Sequence, residues 1–254
     1  MCIDKKFYLL LWTLSCLAAS LPATDAAAVL RDMEANTMGV NAPQDVEADM
    51  VMTIQDGKNV RVRTIHAWTR NVLDRDDLRM MKFLSPADVR DVGFLVLDED
   101  SMYIYLPEFH RTRRIASSSR KDPFMGSDFS YEDMGTSAFS KNYSPKLLME
   151  SDGEWKLELL RKPGAEKPYA RIVLTVSKTN TMPMHTEMYD ATGNLSKVAE
   201  QAAQRVGKYW IMARIKMSNV KKGTSTVLEM KNIKTDQGLK DDIFSERFLK
   251  KKGW

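Results

Sequence analysis

The run RIASSSRKDPFMGSDFSYEDM, Arg114 to Met134, interrupts the pattern of the chain around it. It opens basic, passes three serines, turns at Pro123–Gly126 and closes acidic and aromatic. On both sides apolar and polar residues alternate with a period of two, which marks half-buried strands. The run is therefore a fixed connection in a β-rich chain, and its purpose depends on the strands it joins.

Upstream, VEADMVMTI puts Val46, Ala48, Met50, Met52 and Ile54 on one face. The turn DGK at 56–58 leads into NVRVRTIHAWT, with Val60, Val62, Thr64, His66 and Trp68 on one side and Arg61 and Arg63 opposite. LRMMKFL, GFLVL and SMYIYL continue the series. Downstream, EWKLELLR, ARIVLTVS, MPMHTEMYD, KYWIMARIKMS and TSTVLEMKNI are further strands, separated by turn signals such as Pro163-Gly164 and Gly193-Asn194. LSKVAEQAAQRVGKYW suits either helix or strand, and its neighbours favour strand. Helices are expected at DAAAVLRDMEAN, capped by Thr24 or Asp25, and at DDIFSERFLKKKGW, which packs Ile243, Phe244, Phe248 and Leu249. About ten strands with one apolar face make a single large antiparallel sheet that curls and leaves a concave side to be filled. The expected fold is mainly β (α+β): an incomplete antiparallel β-barrel closed by a few helices and loops around an apolar cavity.

Bulk properties fit this reading. The 254 residues are 43% hydrophobic and 28% charged, and the net charge of +4 calls for no nucleic-acid partner. Lys5 and Lys6, the apolar run Phe7–Leu17 and the small residues after it have the order of an export signal, too short to anchor in a bilayer. Residues 1–23 are thus expected to be cleaved, or lipidated at Cys16, leaving 24–254 as a single domain in the periplasm, free or tethered. Both cysteines lie in the segment 1–23, so the remainder has neither disulfide nor thiol chemistry.

Catalytic signals are missing. His66, His110 and His185 are not at metal-ligand spacing, and no nucleophile elbow or phosphate-cradling glycine loop occurs. No catalytic residue, metal or cofactor is expected. Methionine stands out instead, at 17 residues, with Met50, Met52, Met80, Met102, Met184, Met188, Met212 and Met217 on inward strand positions. Unbranched, polarizable side chains suit a surface that accepts guests of varied shape, and equally a core of adaptable filler. Candidate cavity-lining residues are Met50, Met52, Val62, Trp68, Met80, Met102, Ile104, Met188 and Met212.

YIYLPEFHRTRRIASSSRKDPFMGSDFSYEDM, with SPADVRDVGFLVL upstream, resembles the signature of the outer-membrane lipoprotein-sorting protein family, related to the periplasmic lipoprotein carriers. The resemblance spans the chain from the first helix to FSERFL. It implies a carrier, not an enzyme, that binds acyl chains of lipoproteins or of phospholipid or glycolipid. It further implies an inner-membrane transporter-type donor and an outer-membrane acceptor. A monomer is expected. The alternative is a regulatory module of the same fold that senses lipid or lipoprotein and binds a signalling partner.

On that background Arg114–Met134 reads as a lid. Phe124 and Met125 sit at its tip, and Phe129 and Tyr131 complete an aromatic underside. Ser130 and Asp133 resemble a capping box for a short turn ended by Gly135. Arg113 and Arg114, with Arg111, Arg120 and Lys121, are expected to meet Asp128, Glu132 and Asp133 as an ionic latch. The other reading is a rigid loop whose ion pairs only fix the fold.

Overall fold

The computed structural model of the chain describes residues 24–73, 75–135 and 138–253. The export segment expected at 1–23, with Cys16, lies outside the described residues. Helix α1 (Ala26–Met38) begins where the Asp25 carboxylate accepts the Ala27 N–H at 2.9 Å. Val29, Leu30 and Met33 form its buried stripe.

The strands are β1 (Asp45–Asp56), β2 (Asn59–Arg70), β3 (Leu78–Ser85), β4 (Gly93–Asp98), β5 (Ser101–Leu106) and β6 (Arg111–Arg114). After the interruption come β7 (Tyr143–Glu150), β8 (Glu154–Arg161), β9 (Arg171–Ser177), β10 (Pro183–Tyr189), β11 (Leu195–Val206), β12 (Tyr209–Asn219) and β13 (Thr224–Thr235). The described residues form a 13-stranded antiparallel sheet in the order β6-β5-β4-β3-β2-β1-β13-β12-β11-β10-β9-β8-β7. The fold is an open, curved sheet with few helices, an incomplete barrel.

One topological fact governs the rest. β1 pairs with both β2 and β13, so the two ends of the strand series meet in mid-sheet. β6 and β7, consecutive in the chain, are the two opposite edges. Their connection, residues 115–142, therefore runs from one edge to the other over the concave face. It contains α2 (Tyr131–Met134) and α3 (Phe139–Asn142), and its Phe124, Phe129 and Met134 are buried in the inner core.

The sheet has more strands than alternation revealed. β6 is all polar, with no apolar face to read, and β7 carries Pro145, which an edge strand tolerates. The Ala-containing segment at 195–206 is a strand, held by pairing with β10 and β12.

Apolar side chains form two layers, not one. The concave layer includes Met50, Met52, Ile65, Met81, Phe83 and Phe94 together with α1. A smaller layer on the other face holds Trp68, Met80, Leu95 and Tyr105 beneath Phe244 and Leu249. The C-terminal segment, a 3-10 turn at Asp241–Phe244 followed by α4 (Glu246–Lys250), thus covers the outside of the sheet. Gly93 lies so close to α4 that a Cβ there would stand 2.6 Å from Leu249 Cδ1 and 2.8 Å from its carbonyl oxygen.

Candidate functional site

The strap between β6 and the sheet's far wall is built by local rules. Ser130 Oγ accepts the Asp133 N–H at 3.1 Å, and Asp133 Oδ2 accepts the Ser130 N–H at 2.8 Å, so both halves of the capping box are made. An isolated bridge joins Pro123 to Ser130, and the Phe124 N–H donates to the Phe129 carbonyl at 2.7 Å. Between them the backbone turns through Met125 at φ 49° and Gly126 at φ 70°. That tight loop drives the Phe124 ring inward, where it is fully buried between Phe83 (6.0 Å), Phe94 (5.0 Å) and Tyr131 (5.5 Å, edge-on).

Arginines do hold the strap, though different ones. Arg63 Nη1 donates to the Met125 carbonyl, and Arg61 Nη2 to that of Gly126 at 3.3 Å. Arg113 and Arg114 are exposed, with Arg114 donating to the Asp100 carbonyl at 2.9 Å. They belong to an edge strand whose side chains stay at the rim, while the strap's acids reach β13 in mid-sheet, β11 and the loop before β9. The expected pairing of Arg113 and Arg114 with Asp128 and Asp133 is therefore corrected. Asp128 is bound by the hydroxyls of Thr224 and Thr226 on β13. Asp133 accepts from Lys197 Nζ at 2.7 Å and from the Tyr169 hydroxyl at 2.9 Å.

Glu132 continues this network. It receives Lys167 Nζ at 2.5 Å; Lys167 also reaches Glu99 at 2.8 Å, and Lys141 reaches Glu99 at 2.6 Å. Burial works to raise the Glu99 carboxyl, but hydrogen bonds from Lys141 and Lys167 outweigh it and bring the carboxyl down to about 2. Burial first, then the Asp133 charge, hold the Tyr169 phenol well above its usual range.

Two cavities flank the strap on the concave side, of about 210 Å³ and about 170 Å³. The larger is lined by residues including Tyr143, Ile172, Met188, Ala199 and Met217, the smaller by Met50, Met81, Met134, Met212, Leu228 and Met230. Phe129, Asp133 and Ile215 line both, so the strap stands as a partition between them.

Of the residues expected to line the hollow, Met50, Met188 and Met212 border these cavities. Met52, Met102 and Ile104 are packed in the concave core. Three calls are corrected. Val62 is 51% exposed, and Trp68 and Met80 lie under the C-terminal segment on the other face. On β2 it is Ile65 and Ala67, in phase with Arg61 and Arg63, that face inward. In the Met80-Met81 doublet the second residue points in. Met184 is exposed as well. Residues missed from sequence, namely Arg63, Lys167, Tyr169, Lys197 and Thr226, lie far along the chain from the strap they hold and carry no local signal.

Among the described residues no group of three His, Cys, Asp or Glu side chains has the geometry to hold a metal. No described helix is long and apolar enough to cross a membrane.

Comparison with known proteins agrees with this architecture. A domain assigned to the outer-membrane lipoprotein-sorting proteins, from Vibrio parahaemolyticus, superposes with TM-score 0.81 at 26% identity, covering 89% of this chain and 98% of that one. A DUF1329 family protein from Desulfovibrio piger gives 0.80 at 27%, covering 89% and 100%. A LolA superfamily protein from Nitrosomonas europaea shares the fold at TM-score 0.70 and 19% identity, covering 89% and 100%. No curated protein matches the sequence. A family model described as "uncharacterized protein" matches residues 75–251. Fold and strap together define the class, an incomplete barrel of the LolA type. The chain belongs to the family of this model and is similar in fold and sequence to proteins assigned to outer-membrane lipoprotein sorting.

Proposed function

We propose that the chain is an exported carrier that takes acyl chains of lipoproteins or other lipids into its concave face and moves them between the inner and outer membranes. In this reading residues 1–23 direct export, 24–254 form one carrier domain in the periplasm, and transporter-type donor and acceptor proteins supply and receive the cargo. The supporting observation is the partition. Two cavities with mainly apolar walls, each below the roughly 300 Å³ at which ligand sites begin, are separated by one strap. Displacing Phe129 joins them into a space lined by adaptable methionines.

Magnitudes favour a handover by contact. Burying a methylene group is worth about 0.8 kcal/mol, so a sixteen-carbon chain gains about 12 kcal/mol gross. That is too much for unaided escape into water. Native mass spectrometry of the protein taken from its own cell envelope tests the reading, with adducts of lipid mass expected. A protein that arrives empty and then takes up no fluorescent acyl probe would refute it.

A further inference from the structure

Arg79 projects from β3 into the smaller cavity. The residue as a whole is half-buried, but its Nε is sealed from solvent and has no hydrogen-bond partner. The guanidinium makes one long bond, from Nη1 to the Met134 carbonyl at 3.4 Å, and no ion pair among the described residues. A guanidinium buried to this extent ordinarily has a counter-charge beside it, because desolvating it alone is costly. The neighbouring groups provide it only in part, and none of those described lies within ion-pair distance. Asp133, the cavity's one lining carboxylate among the described residues, is taken by Lys197 and Tyr169. Asp77, two residues earlier and just ahead of β3, attracts the guanidinium from beyond ion-pair distance, but it is itself buried, with Oδ1 unpartnered. Arg214 adds a second cation to the lining, 3.5 Å from Glu229. The remaining wall is chiefly methionine, leucine and isoleucine, the surroundings of a hydrocarbon tail.

We infer that Arg79 binds the anionic end of an amphiphile whose chain lies among the methionines, so that the cargo class is an acyl or alkyl chain ending in an oxyanion. The inference rests on the carrier reading above and specifies its cargo. Carboxylate and phosphate both match the planar donor fork of a guanidinium.

The test uses delipidated full-length protein and displacement of the neutral dye N-phenyl-1-naphthylamine by palmitate, hexadecyl phosphate and hexadecanol. At least one of the two anions should bind about tenfold or more tighter than the alcohol, the ratio expected of one charge-assisted contact. Whichever anion wins identifies the head group. Arg79→Met should retain hexadecanol binding and bring the ratio to about one, with Arg79→Lys between. Equal binding of all three probes by the unaltered protein overturns the inference, even if the Met variant does not fold. So does an anion preference that survives Arg79→Met or, failing that variant, Arg79→Gln. Tight but indiscriminate binding leaves the carrier reading standing and removes only the anion. If none of the three probes binds, both fall together.

Discussion

Thr226 and Asp128 grip each other twice: the threonine hydroxyl donates to Asp128 Oδ2 at 2.7 Å and accepts the Asp128 N–H at 2.9 Å. Thr226 is fully buried on β13, in mid-sheet, and Asp128 is the centre of the strap. Removing one side of this clasp leaves a buried polar group without its partner, which costs more than the bond itself is worth. Asp128→Ala and Thr226→Val should each destabilise by about 2–4 kcal/mol in urea unfolding. Arg114→Ala, at an exposed rim position, should fall within about 0.5 kcal/mol of the parent. Equal losses for Arg114 and Asp128 would return the latch to the rim arginines.

Phe129 separates the cavities, so its truncation works in two directions. Phe129→Ala should cost about 3–5 kcal/mol of stability through the void it opens. In stopped flow, uptake of a fluorescent fatty acid should nonetheless become faster, because the partition is gone. A variant that loses stability without any gain in uptake rate would mean that cargo does not pass this point.

The pH dependence has two separable parts. Glu99 has its carboxyl at about 2 in the folded protein against an ordinary 4.5. The stability it contributes is complete above 4.5 and drains away as pH falls towards 2. Glu99→Gln should flatten that acid limb of the urea midpoint. Lys82 behaves in the alkaline range. Burial holds its ammonium down at about 8, beneath α4, where Nζ donates to the Leu249 carbonyl at 2.6 Å. Between 8 and 10.5 the unfolded chain binds more protons than the folded one, so stability from this group rises with pH. Measured against Lys82→Met, the parent should gain stability over that interval.

Gly93 and Gly135 both meet close neighbours, with different consequences. Gly93→Ala presses on the Leu249 backbone and should cost about 1–3 kcal/mol while loosening α4 in hydrogen exchange. Gly135→Ala presses mainly on the flexible end of Met102 and should cost less. A reversed order would show that α4 yields more readily than its packing indicates.

Alternation made most of the sheet legible, because β1 and its neighbours repeat apolar residues at the pleat's own period. The capping box and the Pro123–Gly126 turn were legible for the same reason: they are local. Which face of β2 turns inward was not. Arg61 and Arg63 share a side with Ile65 and Ala67, and charged residues ordinarily mark the wet face. They point inward because the strap exposes the carbonyls of Met125 and Gly126 there. β4 is apolar on both faces because a segment about 150 residues later folds back over it. Partners such as Lys197 and Thr226 are set by topology, which no window of sequence contains.

Since both ends of the crossing segment continue into strands, it is a suspension bridge rather than a hinged door. In the carrier reading it would bow away from the bowl without coming free, and the entrance would be a slot along its flank. On that reading a guest would slip in sideways, tail first or head first, beneath a span moored at each bank. Anything as wide as a folded domain would then stay outside while its greasy appendage is held within.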